Sequence, residues 1–195
     1  MSAITIAVLS QKGGTGKTTM VRSLTDVFSR IGLDVLAIDA DPQGNLSDYF
    51  DTDHAAEPTL GDVLQGQARA AEAIHGAVIP ANLALSEAEL ALAGRIGREV
   101  TLRRALMDLK RQKDLILIDC PPTLGLLTVN ALVGATHAVL TTEAQYFSLQ
   151  GMEQAMEVVE LARESLNPEL ELLGVCMNIA NMRTKHARHT REALE

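Results

Sequence analysis

Ile4-Thr5-Ile6-Ala7-Val8-Leu9, followed by Gln11-Lys12-Gly13-Gly14-Thr15-Gly16-Lys17-Thr18-Thr19, is the stretch whose reading decides the fold. The first run is apolar and rich in β-branched residues, as a buried strand is. The second is a glycine loop, and helical spacing begins at Lys17 and runs to Arg30. Strand, glycine loop and helix in that order are the context a phosphate-binding loop needs. Glycines let the backbone N–H groups turn inward around phosphate oxygens, and the helix N-terminus adds its positive end. Gly13, Gly14, Thr15 and Gly16 are the expected cradle, with Lys17 on the β- and γ-phosphates, Thr18 on Mg²⁺ and Thr19 nearer the α-phosphate. ATP and Mg²⁺ are the ligands this loop implies.

Working outward, further short apolar runs read as strands at 35–38, 77–79, 115–118, 138–140 and 172–177. Helical spacing falls between them at 86–93, 98–112, 126–133 and 149–166, and one or two short helices are expected within 61–76. Gly32 and Asn167-Pro168 stand where two helices should stop. This alternation predicts βαβ units: an α/β class, three-layer P-loop NTPase with a mainly parallel sheet flanked by helices. With 195 residues and 47% hydrophobic content, one domain over 1–195 is expected. Aromatic residues are 3% and Trp is absent, so Val, Ile, Leu, Ala and Met must build the core, which suits buried parallel strands.

Net charge is −8, so any nucleic-acid contact must be a local basic patch. The two cysteines, Cys120 and Cys176, are far apart and suggest neither a disulfide framework nor a metal site. No signal-peptide pattern or membrane-length apolar run occurs, so a cytoplasmic protein is expected.

A dinucleotide fingerprint is the rival reading of the loop, since Gly14-x-Gly16 is followed at a suitable distance by Asp39. Thr19 replaces its last glycine, Lys17 and Thr18 have no role in it, and a second acid follows at Asp41. The ordinary phosphate loop would place glycine at position 11, where this chain has Gln11, and it carries an additional lysine, Lys12. Lys12-Gly13-Gly14-x-Gly16-Lys17-Thr18 resembles the deviant Walker motif of the ParA/MinD superfamily, and the chain is most similar to its ParA/Soj branch. In that superfamily the first lysine reaches across a dimer interface to the partner's nucleotide, which implies a homodimer in the ATP state. The plainer alternative is a solvated loop lysine.

Two further segments carry acids at strand ends, where open α/β sheets bind ligands. Asp39-Ala40-Asp41-Pro42-Gln43-Gly44-Asn45 resembles the switch I loop of ParA proteins. By that resemblance Asp41 positions or activates the hydrolytic water, and Asp39 supports the metal shell through water. The alternative is that the pair caps the following helical turn. Leu115-Ile116-Leu117-Ile118-Asp119-Cys120-Pro121-Pro122 resembles Walker B and switch II, which implies that Asp119 holds Mg²⁺ through water. Cys120 has no base paired with it in sequence and reads as a packed thiol.

The likeness runs from Ile4 to about Thr184 and includes Val78-Ile79-Pro80-Ala81, Arg98-Glu99-Val100 and Leu102-Arg103-Arg104-Ala105-Leu106. Family members usually continue with further strands and a helix, so the C-terminal part of the family fold is expected to be missing here. Asn178 follows a strand where related ATPases place a base-reading residue. Asn181-Met182-Arg183-Thr184 resembles a stretch whose arginine contributes to DNA binding, and Lys185, Arg188 and Arg191 extend a basic cluster. A solvated helical face is the alternative for that cluster. The resemblance implies a partition ATPase, weak alone, that binds DNA non-specifically as the ATP dimer on the nucleoid and is stimulated by a ParB-like partner. A MinD-like membrane positioner would need a C-terminal amphipathic helix, and none is visible; a ParA relative that positions a protein cargo is the third option.

Overall fold

Along each central strand, alternate side chains face opposite sides, and both sides are apolar, so helices must cover both. Ala7 and Leu9, Leu36 and Ile38, and Ile116 and Ile118 belong to one buried cluster. Val8, Val35 and Ala37, and Leu115 and Leu117 belong to a second on the other side. The computed structural model, which describes residues 2–53, 55–143 and 148–178, accordingly has three layers.

The sheet is six-stranded with the order β3-β2-β4-β1-β5-β6, and every pairing in it is parallel. The strands are β1 (Ile4–Leu9), β2 (Val35–Asp39), β3 (Val78–Ile79), β4 (Leu115–Asp119), β5 (His137–Glu143) and β6 (Glu171–Asn178). The helices are α1 (Lys17–Arg30), α2 (Asn45–Tyr49), α3 (Leu60–Gln65), α4 (Ala84–Ala93), α5 (Thr101–Ala105), α6 (Leu126–Gly134) and α7 (Ser148–Ser165). Val21 of α1 and Leu46 of α2 enter the smaller cluster, whereas residues of α3 to α7 enter the larger one. No helix among the described residues is long and apolar enough to cross a membrane.

Three local features differ from the sequence expectation. The helix expected over 98–112 is divided into a 3-10 turn at Arg98–Val100, α5, and a second 3-10 turn at Leu109–Arg111. The cause of the first break is a buried side chain inserted into the hydrogen-bond ladder. Asn130 on α6 accepts the Leu102 N–H at 3.1 Å and donates to the Arg98 carbonyl at 2.9 Å, the two groups that would otherwise bond to each other in a continuous helix. Asn130 therefore ties α6 to this segment. The short α2 stands where only the capping alternative for Asp39 and Asp41 placed a helical turn, and β5 extends to Glu143, three residues beyond its expected end.

Asn167 does more than close α7. Its buried amide donates to the carbonyls of Leu132 and Ala135 at 2.9 and 2.8 Å, satisfying acceptors at the end of α6.

Candidate phosphate and metal site

The strand order gathers the notable groups along one edge of the sheet. Asp39 and Asp119 are register partners on β2 and β4, Asp119 pairs with Val8 on β1, and Glu143 pairs with Asn178 across β5 and β6. The glycine loop lies between the two acids on one side and Glu143 and Asn178 on the other. This is the carboxyl edge of an open parallel sheet, where ligands bind.

Gly14 and Gly16 take φ values of +80° and +92°, a conformation that side chains oppose, and Gly16 hands the chain directly into α1. Beneath the loop runs a chain of buried hydroxyls. Ser10 Oγ donates to the Lys12 carbonyl at 2.7 Å and lies 2.8 Å from Thr15 Oγ1, which lies 2.8 Å from Thr141 Oγ1. Lys17 is buried, and its ammonium donates to Ser10 Oγ and the Lys12 carbonyl, both at 3.3 Å. Burial pulls its pKa down, while the charges of Asp119 and Asp41 act in the opposite direction. Ser10 and Thr141 are two small hydroxyl residues 131 positions apart, and nothing local in the sequence marks either as part of the site.

The three acids differ in how their oxygens are engaged. Asp39 is fully buried, and its carboxylate accepts from the Asp41 N–H at 3.1 Å, the Ser47 N–H at 2.8 Å and the Ser47 hydroxyl at 2.8 Å. Burial raises its pKa to about 6, and the Ser47 bonds oppose that rise. Asp39 thus organises the loop carrying Asp41 and anchors α2. Asp41 accepts from the Gln43 N–H at 3.0 Å.

Asp119 stands apart because neither of its buried carboxylate oxygens makes a hydrogen bond of good geometry. Burial raises its pKa to about 7; the nearby Thr18 hydroxyl opposes this, Asp39 adds to it and Lys17 counters it. Two unsatisfied oxygens beside Thr18 are a donor set suited to a hard cation. Among the described residues no three His, Cys, Asp or Glu side chains converge on one point. An ion here would share phosphate oxygens and water with Thr18 and Asp119, as Mg²⁺ prefers. Burial pushes the Cys120 thiol well up, so this residue is an inert packed thiol.

Lys12 makes a contact that its sequence position did not announce. Its Nζ lies 2.9 Å from Glu143 Oε2 of the same chain, and the two side chains are 56% and 11% exposed. Asn178 donates to the Thr15 carbonyl at 3.2 Å and lines a cleft of about 200 Å³ with Gly16, Thr19, Met20 and Cys176. That places Asn178 on the helix side of the loop, next to Thr19. Arg183, Lys185 and Arg188, the residues expected to contact DNA, lie outside the described residues.

Comparison with known proteins agrees with this architecture. The AAA-domain family model matches residues 3–172. The chain is 39% identical over 186 residues to the sporulation initiation inhibitor protein Soj of Bacillus subtilis, covering 92% of this chain and 74% of that protein. Chromosome partitioning protein ParA of Caulobacter vibrioides is 39% identical over 187 residues, covering 91% of this chain and 70% of the relative. A crystal structure of cobyrinic acid a,c-diamide synthase from Mycobacterium smegmatis with bound ATP analog and magnesium superposes with a TM-score of 0.93 at 34% identity. That superposition covers 98% of this chain and 81% of the other. A glycine loop carrying two lysines at the carboxyl edge of a parallel sheet, together with this identity over most of the chain, means that it belongs to the ParA/Soj family of P-loop ATPases.

Proposed function

We propose that this chain is a partition ATPase that pairs with a second copy when ATP and Mg²⁺ are bound, holds DNA without sequence preference as the dimer, and lets go on hydrolysis. The observation that carries the reading is the loop itself. Lys17 is buried beneath it, Lys12 stands half-exposed on its rim, and Asp119 carries unsatisfied oxygens beside Thr18.

In this reading the backbone N–H groups of Gly13 to Thr19 and the Lys17 ammonium bind the phosphates of the substrate ATP. The buried hydroxyl pair Ser10 and Thr15 sets the floor of the loop, so that the donors are fixed before the substrate arrives. Thr18 and Asp119 would hold Mg²⁺, which supplies charge neutralisation at the β- and γ-phosphate oxygens. Asp41 orients the attacking water, and Asp39 fixes the Asp41 loop through its bond to the Asp41 N–H. Lys12 is lent to the partner's nucleotide. A positive charge delivered in trans accelerates phosphoryl transfer by about a thousandfold or more, so a ParB-like partner that perfects this geometry would set the timing.

DNA contact is assigned to Arg183, Lys185 and Arg188 on the sequence pattern alone. About three phosphate contacts per subunit would double to about six in the dimer, giving a logarithmic salt slope near −5. Chromosome partitioning is the role named for the ParA relative.

The test is the Asp41→Ala variant with ATP and Mg²⁺, measured by size-exclusion chromatography with light scattering and by retention on duplex DNA. The expected result is a stable dimer that binds DNA with ATP and not with ADP. A nucleotide-loaded variant that stays monomeric would refute the mechanism.

A further inference from the structure

We infer that Glu143 is a positioning residue that holds Lys12 on its own subunit and thereby sets how readily two ATP-loaded copies pair. This rests on the reading of Lys12 as the cation lent across the dimer.

Glu143 ends β5, and its neighbours in the sheet fix its place. Thr142 and Glu143 are paired with Met177 and Asn178 on β6, so the carboxylate emerges at the carboxyl edge beside the glycine loop. A Cβ placed on Gly14 would lie 3.8 Å from Glu143 Oε1, so the carboxylate flanks the loop as well as meeting the Lys12 ammonium. The two partners differ in exposure. Glu143 is 11% exposed and sits at the end of a paired strand, whereas Lys12 is 56% exposed on a long flexible stem. When Lys12 swings to another subunit, the lysine regains an anion there, but Glu143 is left nearly buried beside the loop without its counter-charge. An uncompensated buried carboxylate is unfavourable, more so than the loss of a fully exposed pair.

The Lys12 backbone is tied into the same arrangement. Its carbonyl accepts from Ser10 Oγ and from the Lys17 ammonium, the group that turns to the phosphates when substrate binds. Filling the loop therefore removes the weaker of the two bonds at the Lys12 carbonyl, while Ser10 keeps the other and Glu143 still holds the ammonium. Glu143 opposes the transfer of Lys12 to the partner, and two such contacts are broken for each dimer formed.

Removing the charge with the shape kept should ease pairing. If each broken contact weakens association about threefold, Glu143→Gln tightens the dimer about tenfold, since the two contributions multiply. The monomer–dimer dissociation constant is measured by analytical ultracentrifugation at saturating ATPγS and Mg²⁺, where any change in nucleotide affinity drops out. Glu143→Asp keeps the charge, and flexible Lys12 can follow it, so this variant should pair like the unmodified protein. The advantage of Glu143→Gln should also shrink as NaCl screens the contact. If the unmodified protein dimerises and Glu143→Gln pairs no more tightly, or Glu143→Asp matches Glu143→Gln, the inference is overturned and the dimer reading stands. If the unmodified protein does not dimerise at saturating ATPγS, the dimer reading falls and the inference falls with it.

Discussion

Gly16→Ala tests the geometry at the junction of loop and helix. Gly16 has φ +92° and ψ +17°, and an alanine Cβ there would lie 2.0 Å from the amide nitrogen of Asn178. Holding a non-glycine residue in left-handed backbone is unfavourable by about 1–2 kcal/mol. The amide must also withdraw, and its bond to the Thr15 carbonyl is lost. That adds about 1 kcal/mol, for a total of about 2–3 kcal/mol. For a domain of this size each kcal/mol lowers Tm by roughly 2–4 °C, so a fall of about 4–12 °C is expected. Calorimetry on the double-mutant cycle with Asn178→Ala separates the two causes. With the amide already removed, Gly16→Ala should lower Tm by only about 2–8 °C, the part due to backbone strain. Equal losses in both backgrounds would refute the Asn178 contact, and an unchanged Tm in the Asn178-containing background would refute the left-handed turn itself.

Asp119→Asn should stabilise the fold while removing Mg²⁺-dependent ATP hydrolysis. Burial raises the Asp119 pKa from 3.8 to about 7, so its protonated form favours the native state; that stability is complete below 3.8 and is lost as pH rises to about 7. The variant lacks this dependence, so without nucleotide or Mg²⁺ its Tm advantage should be clear at pH 8 and narrow as pH falls from 7 towards 4; a less stable variant at pH 8 would contradict the assignment. Asn130→Ala should lower unfolding free energy by about 1–3 kcal/mol in urea titrations, because it leaves the buried Leu102 N–H without its acceptor. The Arg98 carbonyl keeps the Thr101 hydroxyl, so the Leu102 N–H is the group concerned, and a loss under about 0.5 kcal/mol would show that it finds another partner.

What the sequence determined by itself was local and periodic. The β-branched run Ile4–Leu9, the glycine loop and the helix from Lys17 to Arg30 all stand where spacing placed them, because strand and helix periods and the need for positive φ are written in consecutive residues. The strand-ending acids Asp39 and Asp119 were legible for the same reason. Spacing over 98–112 could not reveal a broken helix, since Leu102, Leu106 and Leu109 are buried at helix-like intervals either way. The break comes from Asn130, a residue on another helix. The same limit hid the engagement of Asp39 by Ser47 and of Lys12 by Glu143, the latter a pair 131 residues apart. The sheet order, which sets β5 against β1, is what brings Lys12 and Glu143 together, and inserting β4 between β1 and β2 sets Asp119 beside Asp39. Parallel strands pair through packing and crossover connections, and no residue pattern within a strand names its neighbours.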